Sequence, residues 1–308
     1  MRVSVQLPVH RVEHFDELAG AAAIAELSIA AESAGFDAVF VTEHPFPEDR
    51  WLVTGGHHAP DPFVCLALAS AATTRVRLQT NLCILAYRNP FLIANTVASL
   101  DALSGGRVIL GIGAGYMEGE FSALGVPYDE RNDLTDEAIT AMRAAWTGQS
   151  VVMEGSHFRA AGNTMLPAPA QSGGPPIWVG GNSRRAMRRA VELADGWVPM
   201  PSPAKASARL RTPGIESVTD LQARIDEAKA HAASVGRTNP LEVAFMPMGL
   251  DMFTNAKVQP NAVIDNIQEL SRAGVTYACI TVPGDTRAEL RAGIDVFASD
   301  ILPAVADA

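Results

Sequence analysis

Short apolar runs alternate along the chain with longer segments that carry apolar residues at helical spacing. Strands buried on both faces of a parallel sheet are apolar over most of their length, and parallel strands need crossover segments between them. The short runs predict strands at 3–7, 38–42, 76–82, 108–112, 177–179, 196–200, 241–246 and 277–282. The intervening segments predict helices at 18–34, 62–72, 91–103, 133–146, 186–194, 218–235, 260–273 and 286–298. This alternation predicts the α/β class and a (β/α)8 TIM barrel, with an open doubly wound sheet as the alternative.

Two of the predicted helices begin with the same pair of residue types. Asp61-Pro62 and Asn89-Pro90 each place a capping side chain before a proline at the first helical position. The side-chain oxygen accepts a hydrogen bond from an unpaired backbone N–H, and proline has no N–H to leave unpaired. Gly35, at the end of the first predicted helix, is typical of a helix C-terminus.

The alternation is interrupted between residues 149 and 174. This segment contains several glycines and prolines together with the apolar piece Val151-Val152-Met153. It predicts an insertion with a short hairpin. The remaining length suits one α/β barrel, for which about 250 residues are typical. We therefore expect residues 1–308 to form a single barrel domain that carries this insertion.

Composition narrows the class of protein. The 308 residues are 48% hydrophobic and carry a formal net charge of -10, which argues against nucleic-acid binding because that function needs a basic surface. No apolar run reaches the ~18–20 residues needed to cross a bilayer, and the first residues lack the design of a signal peptide. Cys65, Cys83 and Cys279 are far apart in apolar surroundings and predict free thiols in the core. We expect a cytoplasmic protein whose partner is a small molecule, with no membrane contact.

In an α/β barrel the functional residues lie at the carboxyl ends of the strands. The predicted strand ends are poor in carboxylates and rich in glycine, methionine, tryptophan and amide groups. Glycine lets a flat ring approach the backbone, and methionine and tryptophan form apolar walls, so this composition indicates a pocket for a large planar cofactor. His44 is the candidate for proton transfer because imidazole titrates near neutrality. Its neighbour Glu43 either orients the imidazole or faces the barrel wall.

One strand end has the pattern of an anion site. The apolar run 177–179 is followed by the turn Gly180-Gly181, and Asn182 or Ser183 can cap the next helix. A helix N-terminus presents unpaired N–H groups to an anion, most often a phosphate. The alternative is an ordinary turn between a strand and a helix. Four arginines crowd this helix, either as a solvated face or as partners of an anionic cofactor tail: Arg184, Arg185, Arg188 and Arg189.

Other chemical signatures are weak or missing from the sequence. The glycines of 111–115 do not have the spacing of a dinucleotide-binding loop, and there is neither a Gly-x-Ser-x-Gly elbow nor a Walker loop. His57-His58 lacks the carboxylate or cysteine pattern of a metal site, and the spacing of His10 and His14 is attributed to chance. We expect no metal site.

Several longer motifs together resemble the luciferase-like monooxygenase superfamily. They are Tyr87-Arg88-Asn89-Pro90, Leu103-Ser104-Gly105-Gly106-Arg107, Leu110-Gly111-Ile112-Gly113-Ala114-Gly115-Tyr116, Glu120-Phe121-x-x-Leu124-Gly125, Pro176-Ile177-Trp178-Val179-Gly180-Gly181-Asn182-Ser183 and Ala194-Asp195-Gly196-Trp197. The likeness extends over nearly the whole chain. It is closest to the branch of oxidoreductases that use coenzyme F420, a 5-deazaflavin, and the branch that uses FMN shares the fold.

The resemblance implies a bacterial luciferase-like barrel, an insertion after the fourth helix and a homodimer. It implies a deazaflavin at the carboxyl-terminal face, with its phosphate at residues 180–183, and a non-proline cis peptide at Asn81-Leu82 that supports the ring. His44 matches a histidine that contacts the ring or the substrate in the glucose-6-phosphate dehydrogenases of this group. Those enzymes have an acidic residue where this chain has Tyr116, which argues against sugar-phosphate oxidation. Glu120 matches the family pattern, with a structural helix residue as the alternative.

We therefore expect an F420-dependent oxidoreductase that transfers a hydride between the deazaflavin and an unidentified, mainly apolar organic substrate, with His44 assisting proton movement. The alternatives are an FMN-dependent monooxygenase that uses reduced flavin and O2, a barrel that binds flavin without catalysis and, more remotely, a metal-dependent hydrolase. The expected cofactor contacts are His44, Asn81, Leu82, Gly113, Ala114, Gly115, Gly180, Gly181, Asn182 and Ser183. The expected substrate contacts are Trp51, Tyr116, Trp197, Met200 and Met246.

Overall fold

The computed structural model describes residues 1–203, 207, 212–248 and 258–307. The strands of these residues are β1 Arg2–Gln6, β2 Ala38–Val41, β3 Arg77–Ile84, β4 Val108–Gly113, β5 Val151–Glu154, β6 Arg159–Asn163, β7 Ile177–Gly180, β8 Gly196–Val198, β9 Glu242–Phe245 and β10 Tyr277–Ile280. Eight of them close into a parallel barrel in the order β1-β10-β9-β8-β7-β4-β3-β2. The predicted (β/α)8 barrel is confirmed, and the open doubly wound sheet is wrong.

Helices cover the outside of the barrel. In the described residues the α-helices are α1 Ala21–Ala34, α2 Asp49–Leu52, α3 Pro62–Ala72, α4 Pro90–Ser104, α5 Glu118–Ala123, α6 Arg131–Ala145, α7 Arg184–Leu193, α8 Val218–Ser234, α9 Pro260–Arg272, α10 Arg287–Val296 and α11 Leu302–Val305. The expected helices are present, with ends that differ by a few residues. Across the described part of the chain, no helix has both the length and the apolar character needed to span a membrane.

Two local predictions about helices are wrong. The first helix does not begin at residue 18, because Gly20 is extended (φ -73°, ψ 166°) and separates α1 from the short turns at Val12–His14 and Phe15–Ala19. The segment 46–60, for which the sequence predicted neither a helix nor a strand, contains the single-turn helix α2. A four-residue helix is too short to show an apolar period, so the sequence pattern could not reveal it.

The predicted helix caps are confirmed. Asp61 Oδ1 accepts the backbone N–H groups of residues 63 and 64 at 2.9 and 3.2 Å. Asn89 Oδ1 accepts those of residues 91 and 92 at 2.9 and 3.4 Å. Gly35 ends α1 with φ of 92°, a left-handed conformation that a side chain would strain. Because β2 and β3 are parallel, the loops that follow them and lead to these caps lie at the same end of the barrel.

The core has two layers. One lies between the strands and the surrounding helices, and the other fills the barrel itself. Leu82 and Met246 are half-buried at the carboxyl ends of their strands and pack against this filling. The three cysteines are buried and free, as predicted. The buried side chains inside the barrel are Ala38, Phe40, Ile109, Trp178, Val198, Ala244, Tyr277 and Cys279.

Within residues 149–174, β5 and β6 pair antiparallel outside the barrel, which matches the expected hairpin. His157, in the hairpin turn, holds it against the start of α6. Its Nδ1 lies 2.8 Å from Glu137 Oε2 and its Nε2 lies 3.1 Å from Glu130 Oε2. The hydrogen bond to Glu137 is the main reason that the pKa of His157 is raised. The hairpin therefore lies outside the barrel, against the N-terminal part of α6.

Candidate active site at the barrel mouth

The carboxyl-terminal end of the barrel, here called the mouth, contains His44. The imidazole follows β2 and is 8% exposed. Its Nδ1 lies 3.5 Å from Glu120 Oε2, which is an ion-pair distance and longer than a good hydrogen bond. Its Nε2 lies 3.5 Å from the Tyr116 hydroxyl, and the Trp51 ring centroid is 4.4 Å from that of the imidazole. His44 is thus bordered by a carboxylate, a phenol and an indole.

Glu120 is the carboxylate that accompanies His44. It is 1% exposed, and it accepts the Phe46 N–H at 2.9 Å and the Tyr87 hydroxyl at 2.8 Å. Burial acts to raise the pKa of Glu120, but the nearby His44 imidazole and the hydrogen bonds from Phe46 and Tyr87 outweigh burial, and the pKa is lowered. Glu120 is therefore ionised near neutral pH. Its negative charge can offset the positive charge that His44 gains on taking up a proton.

Glu43 does not orient His44. Its Oε2 accepts the Ile84 N–H at 2.6 Å, and its Oε1 pairs with the guanidinium of Arg88. The side chain is buried in the wall and ties the end of β2 to the end of β3. Of the two alternatives for Glu43, the wall position is confirmed. The sequence did not indicate Glu120 as the acidic neighbour of the imidazole, because Glu120 is distant along the chain.

The side chain of Leu82 lies beside three glycines and occupies the space that one of them, Gly180, leaves free. The Asn81-Leu82 bond is cis, as the resemblance implies. A Cβ added at Gly111 would lie 3.2 Å from Leu82 Cδ2, and one added at Gly113 would lie 3.6 Å from Leu82 Cδ1. At Gly180 the distance to Leu82 Cδ1 would be 1.9 Å, which is a clash. Gly180 therefore accommodates a leucine at the mouth, where the sequence had suggested direct approach of a flat ring to the backbone. At Gly111 the added Cβ would meet Thr80 O first, at 2.1 Å.

Gly115 has a packing role that the sequence did not indicate. Its φ is 82°, and an added Cβ would lie 2.5 Å from the Phe121 ring and 2.9 Å from Ile84. The missing side chain lets α5 pack closely behind the mouth. Ala114 is half-buried beside it.

The turn after β7 is held by neighbouring loops. Gly181 has a φ of 112°, its N–H donates to Val198 O at 3.1 Å, and its carbonyl accepts the Trp197 indole N–H at 2.9 Å. Trp197 is 0% exposed. An indole without exposed surface cannot contact a substrate, so the predicted substrate role of Trp197 is wrong. It supports the turn from inside the core.

The side chains of Asn182 and Ser183 also hold this turn in place. Asn182 Nδ2 donates to the carbonyls of Met200 and Pro213 at 2.8 and 3.0 Å, and Oδ1 accepts the Met200 N–H at 2.8 Å. Ser183 Oγ caps α7 by accepting the Ala186 N–H at 3.1 Å. The Gly181 N–H and the Asn182 amide are thus already engaged. An anion at this turn would meet the other N–H groups of the first helical turn, which have no partner within the helix.

The arginines of α7 serve packing between helices. Arg184 pairs with Glu227 at 2.7 Å, and Arg185 lies 3.0 Å from Asp136. Arg189 is 4% exposed and also pairs with Asp136. These guanidinium groups bind carboxylates of α6 and α8. The structure therefore favours a role in holding the helices together over the predicted role as partners of a cofactor tail.

Four predicted substrate contacts keep exposed surface. Tyr116 is 43% exposed and Met200 is 46% exposed, while Trp51 and Met246 are half-buried. Met246 packs on the barrel filling and Trp51 packs on His44. The structure therefore brings Trp51 and Tyr116 together around one imidazole.

Two further histidines lie near the mouth, His57 against His44 and His10 against His57, and no pattern in the sequence indicated this. The ring centroid of His57 lies 5.0 Å from that of His44 and 5.5 Å from that of His10. Burial is the main cause that lowers the pKa of His57 to about 3 and that of His10 to about 4. Loops after two different strands bring these rings together, so spacing along the chain could not reveal the cluster. Within the described residues, no three His, Cys, Asp or Glu side chains are arranged to hold a metal ion.

Comparison with known proteins agrees with this geometry. The sequence profile described as luciferase-like monooxygenase matches residues 1–250. The F420-dependent glucose-6-phosphate dehydrogenase of Nakamurella multipartita is 34% identical over 183 residues, which cover 58% of this chain and 52% of that protein. The chain thus spans about half the length of this curated relative.

Two solved structures superpose over nearly their full length. Monooxygenase RslO1 from Streptomyces bottropensis has a TM-score of 0.79 at 24% identity and covers 98% of this chain and 99% of its own. The coenzyme F420 dependent tetrahydromethanopterin reductase from Methanopyrus kandleri has a TM-score of 0.74 at 18% identity, with 98% of both chains covered. At these identities the likeness shows the fold. Because the profile match covers most of the sequence and includes His44 and the turn after β7, the chain belongs to the luciferase-like monooxygenase family.

Proposed function

We propose that this protein, an enzyme of the oxidoreductase class, is F420-dependent and transfers a hydride between the deazaflavin and a mainly apolar organic substrate. The observation that carries the proposal is the pairing of a buried imidazole, His44, with the ionised carboxylate of Glu120 at a barrel mouth whose floor is apolar. A proton-transfer group beside an apolar surface suits a reaction in which hydride and proton move separately. The curated relative named as F420-dependent supports the choice of cofactor.

The residues of the mouth fit a planar cofactor. Leu82 and Met246 form an apolar floor, and the glycines of β4 and β7 keep large side chains away from it. His44 Nδ1 is buried without a hydrogen-bond partner among the described residues. A polar group of a bound ligand can supply that partner if the side chains around the imidazole rearrange. The ring would lie on this floor beside His44, Asn81, Gly113 and Ala114, and the phosphate would lie at the first turn of α7.

The residues of this chain would handle the proton of the reaction. The bound deazaflavin supplies an acceptor or donor for the hydride. His44 takes the proton of a substrate hydroxyl during oxidation, or returns it during reduction, through Nε2, where the Tyr116 hydroxyl lies at 3.5 Å. Glu120 offsets the charge of the imidazolium. Trp51 covers the imidazole and limits the access of water.

An FMN-dependent monooxygenase is the second candidate. One specific observation favours it: the solved structure with a TM-score of 0.79 is named a monooxygenase. The curated relative that is 34% identical, compared with 24% for that structure, is named F420-dependent, and this favours the deazaflavin. Oxygen uptake with reduced FMN would identify the monooxygenase. Cofactor binding without any turnover would identify the remaining alternative, a barrel that binds flavin and is not catalytic.

Titration with the two cofactors tests the proposal. The protein is mixed with increasing amounts of F420 or FMN, and the fluorescence of each cofactor is followed separately. We expect saturable quenching of F420 at one cofactor per chain and weaker quenching of FMN, because the curated relative that is 34% identical is named F420-dependent. Saturable binding of FMN with no binding of F420 would defeat the deazaflavin assignment.

We further propose that the protein is a homodimer formed through α3 and α4. These helices pack against each other, α3 has no charged residue, and the one charged residue of α4, Asp101, is buried. Leu92 and Leu103 lie on one face of α4 and are 71% and 86% exposed. Val64 on α3 is 62% exposed. Adjoining apolar surface without charge is typical of a protein–protein interface, and a second copy presents the same surface.

The dimer is tested by molar mass in solution. Light scattering on the wild type is expected to give twice the chain mass of 32.6 kDa. The double variant Leu92→Glu, Leu103→Glu is expected to give the monomer, since four carboxylates would face one another across the interface. Val152→Glu is the matched control, because Val152 is 80% exposed on the hairpin. A monomeric wild type, or a double variant that stays dimeric, would contradict the proposal.

A further inference from the structure

The segment Phe46–Pro60, here called the covering segment, joins β2 to α3 and lies over His44. It begins with two anchors: the Phe46 N–H donates to Glu120, and the Glu48 N–H lies 3.4 Å from Met117 Sδ. After these anchors, the backbone hydrogen bonds of the segment run within residues 48–56. Side-chain rings connect this part to the barrel.

Three ring contacts make that connection. Trp51 packs on His44 with centroids 4.4 Å apart, and His57 meets the same imidazole edge to face at 5.0 Å and 85°. On its other side His57 meets His10 at 5.5 Å and 72°. A segment held by a few side-chain contacts opens at a lower free energy than the barrel does.

Two of the imidazoles in these contacts, those of His10 and His57, pack as uncharged rings. His10 Nδ1, His44 Nδ1 and His57 Nε2 are buried without a hydrogen-bond partner among the described residues. A proton on His57 or His10 would place a positive charge in this packed environment without a carboxylate in hydrogen-bonding range, and burying an unpaired charge is costly. Burial accordingly holds the pKa of His57 at about 3 and that of His10 at about 4. Closure therefore depends on these two rings being neutral.

We propose that the covering segment is a pH-dependent lid over His44, which is closed while His10 and His57 are uncharged and opens when they take up protons. The opening and closing of the lid do not depend on which cofactor the protein binds. Its consequence for catalysis rests on the proposed function, since His44 is the group that it covers.

The charged and titratable neighbours give the direction of the effect. His57 faces His44, His10 and His58, all of which disfavour its protonation. His10 lies near Arg11, which disfavours a proton there, and near Glu13, which favours it. Glu120 faces His44 from α5 and is ionised at neutral pH.

The pH range of opening follows from linkage. When the segment opens, His57 moves out with it and uncovers His10, so both imidazoles regain the ordinary pKa of 6.5. Below this pH the open state then binds more protons than the closed one. Closure is complete above that pH and weakens as the pH falls towards the closed-state values. The opening constant rises by up to about tenfold per pH unit for each histidine, or about a hundredfold for the two.

Quenching of tryptophan fluorescence by acrylamide tests the lid without any cofactor. Trp146, Trp178 and Trp197 are 4%, 1% and 0% exposed, so a change in accessibility reports on Trp51. In the wild type we expect quenching to increase as the pH is lowered from about 7.5 to about 4, the range in which histidine gains its charge. Acrylamide is uncharged, so the falling net charge of the protein does not alter its approach.

Matched variants identify the cause. The double variant His10→Phe, His57→Phe keeps an aromatic ring at each position, but neither ring can take up a proton. Its quenching is expected to stay constant over this range. His58→Phe changes an exposed neighbouring histidine and is expected to behave as the wild type does. Trp51→Phe is expected to remove the response.

Three results would overturn the lid: constant quenching in the wild type, the same increase in the double variant, or an increase that appears only together with loss of the helical circular dichroism signal. Failure of the lid leaves F420 binding intact. Failure of F420 binding leaves the quenching response intact, so the two proposals fail separately.

Discussion

Replacing His44 by alanine is expected to lower the rate of hydride transfer by roughly 100- to 10,000-fold, because a positioned acid–base group contributes about that much. The affinity for F420 should change far less, since the apolar floor and the first turn of α7 remain. The measurement is single-turnover reduction of bound F420 by a panel of secondary alcohols, followed through the absorbance of the cofactor. Free imidazole should restore part of the lost rate, which a purely structural role would not allow.

His58→Ala is the matched control for His44→Ala. His58 lies in the covering segment, is exposed, and should leave the single-turnover rate as it is in the wild type. If His44→Ala transferred hydride at the wild-type rate with a substrate of the intact enzyme, the imidazole would only line the site. If no substrate were turned over by either protein, the barrel that binds flavin without catalysis would be favoured.

Replacing Gly180 by alanine is expected to weaken F420 binding by at least about tenfold, which corresponds to ~1.4 kcal/mol. The new methyl would lie 1.9 Å from Leu82 Cδ1, so the leucine side chain must move. Leu82 is half-buried at the mouth and packs on the side chains that fill the barrel. We therefore expect its side chain to move away from this filling, into the space assigned to the ring. The cost therefore falls on cofactor binding more than on folding. Fluorescence titration with F420 and thermal unfolding measure the two effects separately.

Two variants control for the Gly180→Ala result. At Gly125 an added Cβ meets no atom within 4 Å, so Gly125→Ala carries only the backbone strain of a φ of 72° and should bind F420 as the wild type does. The double variant Gly180→Ala, Leu82→Ala removes the clashing atoms and should recover part of the lost affinity. Wild-type affinity in Gly180→Ala would mean that the ring does not lie above Leu82.

The fold could be predicted because it repeats one signal. Each strand is an apolar run and each helix carries its own period, so errors at the ends of elements did not alter the barrel. The predictions failed where no period exists, as at α2, which is a single turn. They also failed at Gly20, whose extended backbone delays the start of α1.

The candidate site could be predicted only in part. His44 was found because it follows a strand directly, and the cis bond at Asn81-Leu82 followed from the resemblance. Trp197 was assigned to substrate because tryptophan at a strand end is typical of a pocket wall, but its indole points into the core and bonds Gly181. Partners that approach from a distant part of the chain, such as Glu120 beside His44, are set by the fold and have no local pattern.

The most direct test of the account is the electron density of crystals soaked with F420. We predict the deazaflavin ring over Leu82 and Met246, within contact of His44, and the phosphate at the N-terminal turn of α7 beside Ser183. Density for F420 away from the mouth, or a mouth that stays filled by its own side chains when F420 is bound elsewhere, would contradict the account.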